Sequence, residues 1–91
     1  MSTNGSPNSQ PRITLYTTQT CHWCRVAKAY LAEQGLVYRE FDVGHDASAK
    51  RRMLLMTGQH GVPVIEVGEH AMIGWDRHEF EKLLSGKFKR R

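Results

Sequence analysis

Cysteine is scarce in this chain of 91 residues: it occurs only at Cys21 and Cys24. A disulfide framework needs pairs spread along the sequence, and the loop closed by this pair is too short to be an effective staple. A tetrahedral structural zinc site needs four ligands. No second cysteine pair exists, and His22, His45, His60, His70 and His78 are scattered, so no metal site is expected. Long apolar runs are also missing. None approaches the roughly 20 residues of a membrane span, and Met1 to Pro11 has neither the basic start nor the apolar stretch of a secretory signal. The expectation is a cytoplasmic protein with no membrane partner, in a compartment that keeps thiols reduced. Acidic residues are outnumbered nine to thirteen, giving a net charge of +4. Much of that excess sits in Lys87, Lys89, Arg90 and Arg91. No nucleic-acid motif accompanies it, so it reads as a solvated basic tail without a specific nucleic-acid partner.

What is present fits one small domain. Hydrophobic residues make up 40% of the chain, enough for a modest core that regular local structure must support. Residues 1–11 are polar with two prolines and read as a disordered tail. The domain is expected over 12–86, followed by a basic tail over 87–91. Ile13, Leu15 and Tyr16 predict a strand. Cys21 to Gln34 predicts a helix with Val26, Ala27, Tyr30 and Leu31 on its buried face and Gly35 at its end. Val37 to Val43 predicts a second strand. Asp46 is placed to cap a helix through Thr57 that buries Met53, Leu54 and Met56. Val62 to Val67 and His70 to Ile73 predict two strands joined at Gly68-Glu69, with the glycine first as in a type II′ turn. Asp76, with Glu79 three residues on, resembles a capping box. The helix it starts is expected to bury Phe80, Leu83 and Leu84 and to close at Gly86. The order β-α-β-α-β-β-α implies an α/β fold: a mixed four-stranded sheet flanked by three helices, its β-α-β unit giving a right-handed parallel crossover.

The chemistry lies in Cys21-His22-Trp23-Cys24, where a strand gives way to a helix. Unpaired amides and the partial positive charge of a helix N-terminus favour a thiolate over a thiol. Two intervening residues put both cysteines on one face, about a turn apart. Cys21 can then attack a substrate disulfide and Cys24 can resolve the product, as thiol–disulfide exchange requires. His22 and Arg25 add positive charge nearby. Trp23 either packs inward or meets substrates. Most X–Pro bonds are trans, so spacing alone predicts a trans Val62–Pro63 bond.

Three segments resemble glutaredoxins of the thioredoxin superfamily: Ile13 to Cys24, Thr57 to Val64 (Thr-Gly-Gln-His-Gly-Val-Pro-Val), and Met72 to Asp76 (Met-Ile-Gly-Trp-Asp). The resemblance spans Arg12 to about Gly86. It implies a thioredoxin-like fold and a cis Val62–Pro63 bond set against the cysteine pair. It also implies that the Val62 backbone pairs with a glutathione or peptide substrate; Thr20, beside Cys21, is expected to help the helix amides stabilise the thiolate. Gly74, Trp75 and Asp76 would receive the γ-glutamyl end of glutathione, and Thr18 and Gln59 would meet its glycine carboxylate. The family often carries Lys or Arg where this chain has Thr18, Pro where it has His22, and Thr where it has Gly61. The short Gly74-Trp75-Asp76 segment resembles that of NrdH-type redoxins, which take electrons from thioredoxin reductase.

The resulting expectation is a monomeric dithiol–disulfide oxidoreductase acting on protein disulfides or glutathione mixed disulfides. No permanently bound cofactor is expected, and glutathione is the expected co-substrate. The alternatives are an NrdH-type redoxin reduced by thioredoxin reductase and a glutaredoxin holding an iron–sulfur cluster through Cys21.

Overall fold

A computed structural model describes residues 10–85. Most of the expected tails, and the expected helix stop at Gly86, lie outside that range. The elements are β1 (Ile13–Thr17), α1 (His22–Glu33), β2 (Arg39–Asp42), α2 (Ala47–Thr57), β3 (Val64–Val67), β4 (His70–Ile73) and α3 (Arg77–Ser85). Their order is the expected β-α-β-α-β-β-α. The sheet runs β2-β1-β3-β4. β1 is parallel to β2 and antiparallel to β3, and β3 is antiparallel to β4.

Alternation along β1 decides the layers, because successive side chains of a strand point to opposite faces. Ile13 and Leu15 join Ala27 and Leu31 of α1 and Phe80 and Leu83 of α3 in one cluster. Tyr16 joins Ala49 and Met53 of α2 on the other face, with Val43 and Val64. β1 is therefore buried along its whole length. With β3 it forms the inner pair of strands between two helical layers, as the thioredoxin-like arrangement requires.

Several boundaries differ from expectation for identifiable reasons. Cys21 is the N-cap of α1 rather than its first residue, and Gln34 is its C-cap. Val37 is 75% exposed, and β2 starts only at Arg39, which pairs with Thr14 near the start of β1. Val37 is instead held by Gln10, which donates to its carbonyl at 2.8 Å and accepts from its amide at 3.1 Å. Gln10 therefore belongs to the folded unit although the sequence places it in a tail. β3 starts at Val64 rather than Val62, since Pro63 has no N–H for the ladder. In α2, Met53 is fully buried, while Leu54 and Met56 are only half-buried. Ala49, one turn before Met53, completes the buried stripe. Val26, Tyr30 and Leu84 are likewise half-buried rather than buried.

The ends of the elements follow the expected chemistry. α1 closes in a Schellman arrangement. Leu36 N–H reaches Leu31 O at 3.0 Å, Gly35 N–H reaches Ala32 O at 3.1 Å, and Gly35 sits at φ +67°. Asp46 caps α2 by accepting from the Ala49 amide at 2.9 Å. Gly68 opens the β3–β4 turn at φ +60°, the sign a type II′ turn needs at its first position. No helix among the described residues is long and apolar enough to cross a membrane.

Candidate active site

Strand register brings three sequence segments to one end of the sheet. β1 runs toward Thr17, and Cys21 follows the short 18–20 connection. Val64 lies opposite Tyr16, so Pro63 emerges beside the same end of β1. Ile73 lies opposite Val64, and the Gly74 amide donates to the Pro63 carbonyl at 2.7 Å. The segments 18–24, 62–63 and 74–76 therefore leave the sheet together. The Val62–Pro63 peptide is cis: spacing alone predicts trans, and the resemblance correctly implies cis.

Cys21 and Cys24 form a disulfide, with Cα atoms 5.2 Å apart. Cys21 occupies the N-cap in extended backbone geometry, and its sulfur accepts from the Cys24 amide at 3.1 Å. An N-cap side chain ordinarily offers an oxygen to that amide; here sulfur takes its place. The Cys21 sulfur thus sits where first-turn amides and the helix dipole stabilise negative charge. The two cysteines differ in access. Cys24 is 1% exposed, whereas Cys21 is half-buried.

The other anticipated residues are distributed as follows. Trp23 is 55% exposed, so of its two anticipated roles the inward-packed one is not adopted. Its ring meets His22 edge-on, with centroids 5.0 Å apart, and His22 is itself exposed. Thr18 is half-buried and Thr20 exposed, and the Thr18 carbonyl accepts from the Cys21 amide at 3.4 Å. Val62 packs against the α2-side core, and Pro63 is fully buried.

Gln59 is turned onto its own loop. Its Oε1 accepts from the Gly61 amide at 2.7 Å, and its Nε2 donates to Gly61 O at 3.0 Å and to Thr57 Oγ1 at 3.4 Å. Trp75 is half-buried, its indole between Tyr30 at 5.4 Å and Phe80 at 5.5 Å. The indole is therefore built into the seam between α1 and α3. The Asp76 carboxylate caps α3 by accepting from the Glu79 amide at 3.2 Å.

Sequence reasoning missed the polar bracing beside α1. A cleft of about 230 Å³ is lined by Thr17, Thr18, Gln19, Arg25, Lys28, Glu40 and Asp42. Lys28 pairs with Glu40 at 3.0 Å, and Thr17 Oγ1 donates to the same carboxylate at 2.8 Å. Asp42 accepts from His45 Nδ1 at 2.9 Å, the Gly44 amide at 2.9 Å and Gln19 Nε2 at 3.1 Å. The His45 hydrogen bond is the chief reason that the Asp42 carboxyl is held below the usual carboxylate range; desolvation opposes it, and the Gly44 and Gln19 bonds add to the lowering. Asp42 thereby ties the end of β2 to the loop that leads into Cys21. The alternation of Glu40 and Asp42 on β2 is the one signal that could have placed them together, and it is short. No group of three or more His, Cys, Asp or Glu side chains among the described residues could hold a metal ion.

The family model described as Glutaredoxin matches residues 13–72. The chain is 32% identical over 72 residues to an uncharacterized glutaredoxin-like 8.6 kDa protein in the rubredoxin operon of Clostridium pasteurianum, covering 79% of this chain and 96% of that one. It is 30% identical over 64 residues to glutaredoxin 3 of Escherichia coli strain K12, covering 70% and 77%. The structure also resembles that of the glutaredoxin-like protein NrdH-redoxin from Escherichia coli, with a TM-score of 0.69, 25% identity and coverage of 79% and 93%.

Proposed function

The chain belongs to the glutaredoxin family and is an oxidoreductase whose redox function rests on its Cys-x-x-Cys pair; on that premise we propose that it reduces protein disulfides and glutathione mixed disulfides, with Cys21 attacking and Cys24 resolving. The observation that carries this reading is the asymmetry of the pair: Cys21 is the accessible sulfur and holds the helix N-cap, while Cys24 is buried behind it. The reduced Cys21 thiolate attacks one sulfur of the substrate disulfide. A Cys21–substrate bond forms, and the other substrate sulfur leaves as a thiolate that takes up a proton. Cys24 loses its proton and attacks the Cys21 sulfur, which releases the remaining substrate thiolate and leaves the Cys21–Cys24 disulfide. Two glutathione thiols, themselves oxidised to glutathione disulfide, restore the dithiol. Val62 and Pro63 position the substrate sulfur, Thr20 and the α1 amides favour the thiolate, and Gly74 to Asp76 receive the peptide. The place of action is the cytoplasm and the working unit a monomer.

A second reading is favoured by two observations. Thr18 is uncharged, and the Gln59 amide is already engaged by its own loop. Both weaken the case for glutathione and support reduction by thioredoxin reductase, the electron source of NrdH-type redoxins. A reductase assay that supplies either glutathione with glutathione reductase or thioredoxin reductase alone distinguishes the two. Turnover with one donor names the reductant. Absence of turnover with both, starting from fully reduced protein, overturns the proposed function.

A further inference from the structure

The α2 face of the sheet is only half covered. Met53 and Ala49 of α2 sit over the row that contains Tyr16 and Val64. The next row, toward the start of β1, places Arg39, Thr14 and Glu66 side by side on β2, β1 and β3. Above it lies a hollow of about 390 Å³, lined also by Arg12, Phe41 and Arg52, and within the range of small-molecule pockets. Arg12 precedes β1 and Cys21 follows it, so the hollow and the cysteine pair lie at opposite ends of that strand.

Three features set this hollow apart from a solvated strand end. Three guanidinium groups face one carboxylate, an excess of two positive charges, and neither Arg12 nor Arg39 has a carboxylate partner among the described residues. One of the three is braced by hydrogen bonds and a second lies over an aromatic ring. Arg52 Nε donates to Tyr16 Oη at 2.9 Å while its Nη2 lies 3.5 Å from Glu66, and the Arg39 guanidinium lies 5.4 Å from the centre of the Phe41 ring. Thr14 is 7% exposed, and its hydroxyl makes no side-chain hydrogen bond among the described residues. Lining the hollow, the Thr14 side chain is available to a ligand there, and guanidinium forks match the oxygens of a phosphoryl group.

We propose that this hollow is a binding site for a phosphate monoester, whose phosphoryl oxygens are held by Arg12, Arg39 and Arg52 and by the Thr14 hydroxyl. The hollow is larger than a phosphoryl group alone, and it leaves room for the ester's organic part beside Phe41. Glu66 offers an acceptor to a hydroxyl on that part. Part of the ordering cost of binding is already met, because Arg52 is held beforehand by Tyr16 and Glu66.

The test is a titration of the full-length labelled protein with inorganic phosphate, pyrophosphate and glycerol 3-phosphate at matched ionic strength, followed by amide shifts. Saturable shifts at Thr14, Arg39, Glu66 and Gly68 are expected, with the ester binding at least as well as inorganic phosphate. Arg12→Ala with Arg39→Ala should weaken binding about tenfold or more, since charge-assisted bonds are lost. Thr14→Val, which keeps shape and charge, should weaken it measurably. Arg77→Ala with Lys82→Ala removes the same charge from α3 and should bind like the parent. Shifts that fail to saturate, or an equal loss in the Arg12/Arg39 and Arg77/Lys82 variants, would show only a general attraction of anions to a basic protein and overturn the site.

Discussion

At the scale of single residues, Cys21 and Cys24 carry the same functional group but have opposite access, and this separates their roles experimentally. Cys21→Ser removes the attacking sulfur and should abolish reduction of both protein disulfides and glutathione mixed disulfides. Cys24→Ser should stop protein-disulfide reduction, because the mixed disulfide on Cys21 then has no internal resolving thiol. Exchange with a glutathione mixed disulfide can persist, because a second glutathione resolves it from outside. Initial rates on the two substrate types check this, and an active Cys21→Ser protein would refute the order of attack. The N-cap position adds a second expectation. In the reduced protein, iodoacetamide should modify Cys21 rapidly at pH values where a free thiol, with its pKa near about 8.5, is mostly protonated. Faster modification of Cys24 than of Cys21 would reverse the assignment. The placement of the pair at a strand-to-helix junction was legible in the sequence, although the sequence made Cys21 the first helical residue and the structure makes it the N-cap. The engagement of Gln59 with its own loop was not legible: a side-chain amide is equally able to serve a ligand or a neighbouring backbone, and only the loop's path decides.

At the scale of elements, the ends carry the testable energetics. Gly35 closes α1 at φ +67° with nothing within 4 Å of an added Cβ. Gly35→Ala therefore meets no clash and should destabilise the fold by about 1 kcal/mol, through the left-handed backbone alone; denaturant unfolding would measure it. Asp42 makes the junction between β2 and the loop before Cys21 sensitive to pH. Because its carboxyl is more acidic in the folded chain than in the unfolded one, the stability it lends is complete above the unfolded pKa. It is lost as pH falls through the depressed folded value. Asp42→Asn should flatten that acid limb in melts recorded against pH; an unchanged acid limb would mean that other carboxylates set it. The starts of α2 and α3 at Asp46 and Asp76 and the stop of α1 at Gly35 were readable because aspartate and glycine act through their own side-chain and backbone chemistry. The short extent of β2 was not, because Val37 to Val43 has strand-forming residues throughout. Pairing begins only at Arg39 opposite Thr14, and Gln10 holds Val37 instead.

At the scale of the whole molecule, the element order β-α-β-α-β-β-α, read from helical spacing and strand-rich segments, was enough to give a mixed four-stranded sheet flanked by three helices; which face each helix covers was not legible from it. The aromatic seam was not legible, since Trp75 follows a glycine in a connection and the sequence offers it only as part of the segment that receives glutathione. Its packing against Tyr30 and Phe80 fixes the 74–76 segment from behind, which bears on the choice of reductant. Glutathione has two carboxylates and one ammonium group, and its charged ends need fixed partners. Thr18 supplies none and the Gln59 amide is engaged by its own loop, while the Asp76 carboxylate, which accepts from the Glu79 amide through one oxygen, keeps its second oxygen and its charge for an ammonium group. Arg25 lines the nearby cleft, but Lys28 there is paired with Glu40. The net charge of +4 attracts anions over the whole surface, but such attraction is screened by salt at physiological ionic strength, whereas a specific site is not. Local chemistry should therefore prevail, and glutathione should bind with a Kd above roughly 1 mM, a free energy weaker than about −4 kcal/mol. Titration of labelled protein with glutathione at physiological salt, following amide shifts near Val62, Trp75 and Asp76, measures this directly. Saturation well below that concentration, with shifts confined to those segments, would show that the backbone of 62–63 and 74–76 suffices without a charged side chain at position 18.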